Sequence, residues 1–144
     1  MKTILKAFIA VAIACVATAA VASSKDKTET TEGRAEALFY MTRHDFGFIR
    51  EAKGPVSCYF EFENVGTAPL VITKVAASCG CTRPEYPEKP IKPGKKGKIK
   101  VTYNPIGRPG PFLKKVTVKL NGKKSNYVLY IEGSVIPNEE GKNK

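Results

Sequence analysis

Two thiols stand one glycine apart in Ser78-Cys79-Gly80-Cys81-Thr82, in a chain that has only four cysteines. A thiolate is both a strong nucleophile and a soft metal ligand, so such a pair can be a redox couple, part of a metal site, or a local cross-link. Arg83 and Lys74 are near in sequence, and positive charge there would lower a thiol pKa. On an extended strand, residues two apart point to one face with their Cα atoms near or beyond the usual disulfide span. A turn at Gly80 would close that gap into a small ring. Three readings follow. The preferred one is structural: the thiols, or a disulfide to each other or to Cys58, fix the end of a strand. The second is a redox-active pair. The third is a metal site, for which only His44 and Cys58 could complete a soft ligand set. Ser78 and Thr82 supply no base, and the only histidine lies 35 residues away, which favours the structural reading. No metal or cofactor is assigned.

Little else in the chain has catalytic spacing. Asp45-Phe46-Gly47 matches the kinase metal-binding tripeptide, but no glycine-rich nucleotide loop or catalytic-loop motif accompanies it. Its expected role is structural, with Asp45 bonded to nearby backbone and Phe46 packed inward. No serine sits in a nucleophile elbow, and any His-dependent triad would have to use His44. The expectation is a protein that is not an enzyme.

The first residues speak to compartment. Lys2 and Lys6 precede a largely apolar run, Ala7 to Ala22, and Ala20-Val21-Ala22 fits an exit site before the polar Ser23-Ser24-Lys25. This is the pattern of a secretory signal peptide over residues 1–22. The run is short for a bilayer span, so no transmembrane segment is expected after cleavage and the expected location is periplasmic. Lipid anchoring at Cys15 is the lesser alternative, because apolar residues continue after it. Cleavage would leave 122 of the 144 residues and 22 basic against 13 acidic side chains, a formal charge of +9. Three cysteines would remain, an odd number in a disulfide-permissive setting. A chain of that length buries an adequate single core without staples.

Residues 23–36 are polar and read as a flexible leader, and residues 137–144 as a flexible tail. Residues 37–136 between them read as strands. Val56 to Glu63 alternates, sending Val56, Cys58, Phe60 and Phe62 to one face, and Ile99, Val101 and Tyr103 repeat the pattern. Shorter candidates are Ala37–Met41, Phe46–Ile49 and Pro69–Val75. Pro84, Pro87, Pro90 and Pro93 mark a crossing outside any sheet. Phe112–Leu120 and Tyr127–Val135 form a hairpin across Asn121-Gly122. About seven short strands with frequent turns indicate one immunoglobulin-like antiparallel β-sandwich.

The order of motifs carries a resemblance. His44-Asp45-Phe46-Gly47, Phe60-x-Phe62-x-Asn64-x-Gly66, Pro69-Leu70-x-Ile72, the cysteine pentapeptide, Pro90-Ile91-x-Pro93-Gly94 and Gly110-x-Phe112 follow one another across residues 39–135. The chain resembles the bacterial family known as domain of unknown function 1573. What the resemblance implies is an immunoglobulin-like fold, akin to major sperm protein and pilus-chaperone modules, and an exported setting. It implies structural roles for His44, Asp45, Phe46, Gly47, Asn64, Gly66, Pro93 and Gly94, and no activity. Cys58 is not part of the pattern.

Lysines are dense at Lys92, Lys95, Lys96 and Lys98 and again at Lys114 and Lys115, which suggests a basic surface. No regular interleaving with aromatics is visible that would stack bases, and an exported protein does not meet nucleic acid. Partners are expected to be a protein or an anionic component of the cell envelope, with oligomeric state undetermined. The functional expectation is an exported, non-catalytic binding or assembly module. The alternative is a thiol redox or metal-handling protein built on Cys79-Gly80-Cys81.

Overall fold

The alternation at Val56 to Glu63 is satisfied by two packed sheets. The computed structural model describes residues 33–138. The signal-peptide and Cys15 expectations, most of the leader, and residues 139–144 of the tail lie outside the described residues. In chain order the strands are β1 (Ala37–Phe39), β2 (Arg43–Arg50), β3 (Val56–Asn64), β4 (Ile72–Ala77), β5 (Thr82–Glu85), β6 (Lys96–Tyr103), β7 (Gly110–Leu120) and β8 (Asn126–Ile136). One sheet has the order β1-β3-β6-β5, the other β2-β8-β7-β4. Every pairing is antiparallel except β2 with β8, which is parallel.

The core lies between the sheets. Phe60, Phe62, Ile99 and Val101 from the first meet Val116, Val118, Leu129 and Ile131 from the second, all fully buried. Cys58 is buried opposite Val101. Burial pushes its thiol up to about 11.

Among the described residues there are eight strands where the pattern indicated about seven, because β5 lies in the proline-rich crossing. Pro84 is inside that strand, which corrects the expectation that it lies outside any sheet. β5 is an edge strand, where a residue without an N–H is tolerated. β4 begins at Ile72 rather than at Pro69: Leu70 first pairs with Ile91 beside the first sheet, and the chain then moves to the second. The β7–β8 hairpin exists, but Asn121-Gly122 is not a two-residue turn. Leu120 N–H donates to Ser125 at 2.8 Å, and the Asn121 side chain instead binds Val71 N–H at 2.9 Å and the Pro69 carbonyl at 3.0 Å. The polar leader gives way to the fold before residue 37. Ala35 is buried, and the Arg34 and Glu36 carbonyls accept from Thr67 and Val65.

One buried polar residue joins these loops. Asn64 is 0% exposed. Its Nδ2 donates to the Ala68 and Ile91 carbonyls, both at 2.8 Å, and its Oδ1 accepts from Gly66 N–H at 3.0 Å. Its own carbonyl accepts from Gly94 N–H at 2.8 Å, and its N–H donates to the Lys95 carbonyl. Removing the amide would take this partner from the part-buried Ala68 carbonyl and Gly66 N–H, at about 1–3 kcal/mol each, while the Ile91 carbonyl keeps the Leu70 N–H. Asn64→Ala should therefore lower unfolding free energy by about 3 kcal/mol or more in denaturant melts. Glu61→Ala, on the outer face of the same strand, should be within about 0.5 kcal/mol of wild type.

Candidate functional site

Cys79 and Cys81 are joined by a disulfide, with their Cα atoms 5.3 Å apart. The bond sits where the chain leaves the edge of one sheet for the edge of the other. β4 ends at Ala77 beside Val116, and β5 starts at Thr82 beside Tyr103, so residues 78–81 make the whole crossing. Both ends of the corner are tied. Ser78 N–H donates to the Lys115 carbonyl at 2.8 Å, and Lys115 N–H returns a bond to Ser78 Oγ at 3.1 Å. Asn104 N–H donates to the Cys81 carbonyl at 2.9 Å, and Thr82 N–H closes a turn on the Cys79 carbonyl. Cys81 N–H points at Cys79 Sγ at 3.3 Å. Cys81 is buried and Cys79 half-buried against the core.

The other soft donors are elsewhere. Cys58 is buried in mid-β3, and His44 lies on β2 of the other sheet, edge-on to Phe46 with ring centroids 4.6 Å apart. Among the described residues no group of three or more His, Cys, Asp or Glu side chains could hold a metal ion.

A second feature is built by His44-Asp45-Phe46-Gly47. Asp45 Oδ1 accepts from Gly47 N–H at 2.7 Å, and Gly47 has φ 63°, a left-handed conformation that glycine adopts without strain. Asp45 lies opposite Glu132 but Phe48 lies opposite Ser134, so β2 carries one extra residue, a bulge. The extra residue reverses the alternation after it. Phe46 packs on the core near Phe112, Ile49 is 8% exposed, and Phe48 is turned outward and 80% exposed. The bulge is seated on Gly133, where a Cβ would come within 2.8 Å of the Gly47 carbonyl oxygen and 3.0 Å of the Phe112 ring. Pro111 flanks Ser134 from β7, and Leu113 (53% exposed) and Ile136 (42% exposed) stand on neighbouring rows of this outer face. Between Phe48, Pro111 and Ser134 lies an open groove of about 340 Å³. No sequence pattern announced this patch, because simple alternation from Phe46 would put Phe48 inward.

The lysines do not form one surface. Lys96 and Lys98 lie on the outer face of the first sheet, opposite Glu63 and Glu61. Lys114 and Lys115 lie on β7 of the second sheet, and Lys92 and Lys95 in the turn before β6. Aromatics do stand beside the first group. The Lys96 ammonium is 5.1 Å from the Tyr40 ring centroid and that of Lys98 4.9 Å from Tyr59, contacts made across strands and invisible in linear order. Tyr40 also donates to Glu63 at 2.6 Å and lifts the pKa of Lys96. The remaining family-motif positions, Asn64, Gly66, Pro93 and Gly94, cluster at the buried Asn64 described above.

These features define an immunoglobulin-like module with a cross-linked sheet corner and an apolar outer patch. The chain belongs to the family described as protein of unknown function (DUF1573), which matches residues 38–135. It is similar to a solved protein of unknown function from Porphyromonas gingivalis W83, with TM-score 0.58 and 16% identity over 71% of this chain and 46% of that one. It is similar to the secreted serine protease VesC from Vibrio cholerae, with TM-score 0.53 and 14% identity over 69% of this chain and 23% of that one. The VesB protease from Vibrio cholerae gives TM-score 0.53 and 10% identity over 71% and 31%. The chain spans less than half the length of each, and at these identities the likeness concerns the fold. No curated protein matches it.

Two outcomes follow for the cysteines. Replacing both residues (Cys79→Ser with Cys81→Ser) should cost about 1–2 kcal/mol, the chain entropy that so short a ring removes from the unfolded state, read as a lower melting temperature. Cys58, with its thiol at about 11, should resist iodoacetamide at pH 8 in the folded protein and react once denaturant unfolds it.

Proposed function

We propose that this protein is an exported, non-catalytic binding module that holds a protein partner in the periplasm through the outer face of its second sheet. The observation that carries the reading is Phe48, 80% exposed at the end of a bulge whose backbone is fixed by Asp45 and Gly47. Aromatic side chains on rigid supports are the usual anchors of protein interfaces, since they bury much area and lose little conformational freedom. Pro111, Leu113 and Ile136 extend the apolar surface around it. The bulge and the charged Arg43, Asp45 and Arg50 discourage simple strand addition along the β2 edge, which favours face docking. The choice of a protein over an anionic envelope polymer is supported by local neutralisation: Lys96, Lys98 and Lys100 face Glu63, Glu61 and Glu85. Export itself rests on residues 1–22.

A photo-cross-linking aromatic residue placed at position 48 tests the docking face in cells. It should give a covalent adduct with one envelope protein, whereas the same group at position 61, on the other sheet, should give none. With that partner purified, Phe48→Ala should weaken binding about tenfold or more and leave the melting temperature nearly unchanged. No adduct from position 48, or equal adducts from both positions, would overturn the reading.

A further inference from the structure

The corner that holds the disulfide also opens onto a recess that the docking reading does not use. Gly80 and Cys81 border a cavity of about 400 Å³, together with Arg83, Glu85, Lys100 and Asn104. The recess has a charge. Lys100 is paired with Glu85 at 3.5 Å, whereas Arg83 makes no salt bridge among the described residues. Arg83, Lys100 and Glu85 together leave one positive charge two residues along the strand from Cys81. Asn104 Oδ1 is taken by Ile106 N–H at 3.1 Å, which leaves its amide N–H groups as donors. The space above Gly80 is open, with nothing within 4 Å of where a side chain would begin.

The two sulfurs are not equivalent. Cys81 borders the recess although it is itself 7% exposed, while Cys79 is half-buried against the core and faces the Cys81 N–H at 3.3 Å; Thr82 Oγ1 lies beside both sulfurs, at 3.7 and 3.8 Å. Thiol–disulfide exchange needs a nucleophile at one sulfur and a stabilised leaving thiolate at the other. Here one backbone N–H is directed at Cys79 Sγ, and the cationic recess borders Cys81.

We infer that the Cys79–Cys81 disulfide is an exchange site for small anionic thiols, attacked at Cys81 with Cys79 as the leaving group. A thiolate that carries a second negative group, a carboxylate or sulfonate, enters with that group toward Arg83. Its sulfur forms a bond to Cys81 Sγ, the Cys79–Cys81 bond breaks, and the electron pair leaves on Cys79. A second thiolate attacks the outer sulfur of the mixed disulfide and frees Cys81. Two external thiolates are thereby oxidised to one disulfide, and the protein, after taking up two protons, holds two thiols.

Three probes of differing charge test this on the intact oxidised protein: 2-mercaptoethanesulfonate, 2-mercaptoethanol and cysteamine. Each is in excess, and rates are expressed per thiolate. At low ionic strength the sulfonate should react about fivefold faster than the neutral thiol, and the amine more slowly than either. High salt should bring the three together. Arg83→Gln should bring the sulfonate's rate down to near that of 2-mercaptoethanol at low ionic strength. Acid-quenched samples, alkylated and mapped by mass spectrometry, should carry the probe on Cys81 and the alkyl group on Cys79. Equal rates for the three probes at low salt, a disulfide that does not exchange, or probe on Cys79 would each overturn the inference. The salt comparison uses wild type alone, so it stands even if the Arg83 variant folds poorly.

Discussion

The structure turns on how a buried amide is satisfied. Asn64 ends β3 inside the sandwich, where an unpaired amide would be costly. It answers that cost by binding the Ala68 and Ile91 carbonyls and the Gly66 N–H. Those bonds decide where the loop after β3 runs and where the proline-rich segment returns to meet Leu70. The Asn64 backbone carbonyl, accepting from Gly94 N–H, holds the Pro93-Gly94 turn against the end of β3. The motif pieces Asn64-x-Gly66 and Pro93-Gly94, separated in sequence, are therefore one feature in space. Because the amide uses both hydrogens and its oxygen, no other residue type of that size would serve.

A sandwich held in this way still has to pass its chain between sheets elsewhere, and the disulfide lies at one such crossing, from β4 to β5. Residues 78–81 join two edge strands of different sheets, a path too short to relax without exposing backbone groups. Bonds to Lys115 on one side and Asn104 on the other satisfy the backbone, and the ring formed through Gly80 restricts it further. A corner of this kind stands apart from the flat strands, so the same ring that stiffens the fold has one flank against the core and one against solvent. Structural and chemical roles for the pair are compatible on this geometry, with the metal set of Cys79, Cys81, Cys58 and His44 dispersed over separate elements.

The bulge in β2 shows how a small backbone irregularity becomes a surface. Asp45 and Gly47 accommodate one extra residue, and everything after it changes face. Ile49 takes the inward place and Phe48 the outward one. The parallel register with β8 makes this workable, since Gly133 leaves room for the Gly47 carbonyl to settle. The Asp45-Phe46-Gly47 tripeptide is thus a device of backbone geometry here, with its aspartate bonded within its own turn.

Much of the fold was legible in the residues because period-two alternation is a local property. Phe60, Phe62, Ile99, Val101 and Tyr103 declared their buried face without reference to any partner strand. The closely spaced thiols and the turn residues were legible for the same reason. What depended on distant partners was not. Whether Pro84 could lie in a strand depended on β5 being at an edge, and whether Asn121 would make a tight turn depended on Val71 and Pro69 competing for its side chain. Which face Phe48 would take depended on a bulge seated on Gly133, far along the chain. The lysines looked like one basic surface because they are close in sequence. Pairing across strands instead divided them between sheets and set Tyr40, Tyr59 and three glutamates among them. Local stereochemistry determines which residues are strands and which atoms can react. Only the register between strands decides which of those atoms share a face, because register is set by contacts that no short stretch of sequence contains.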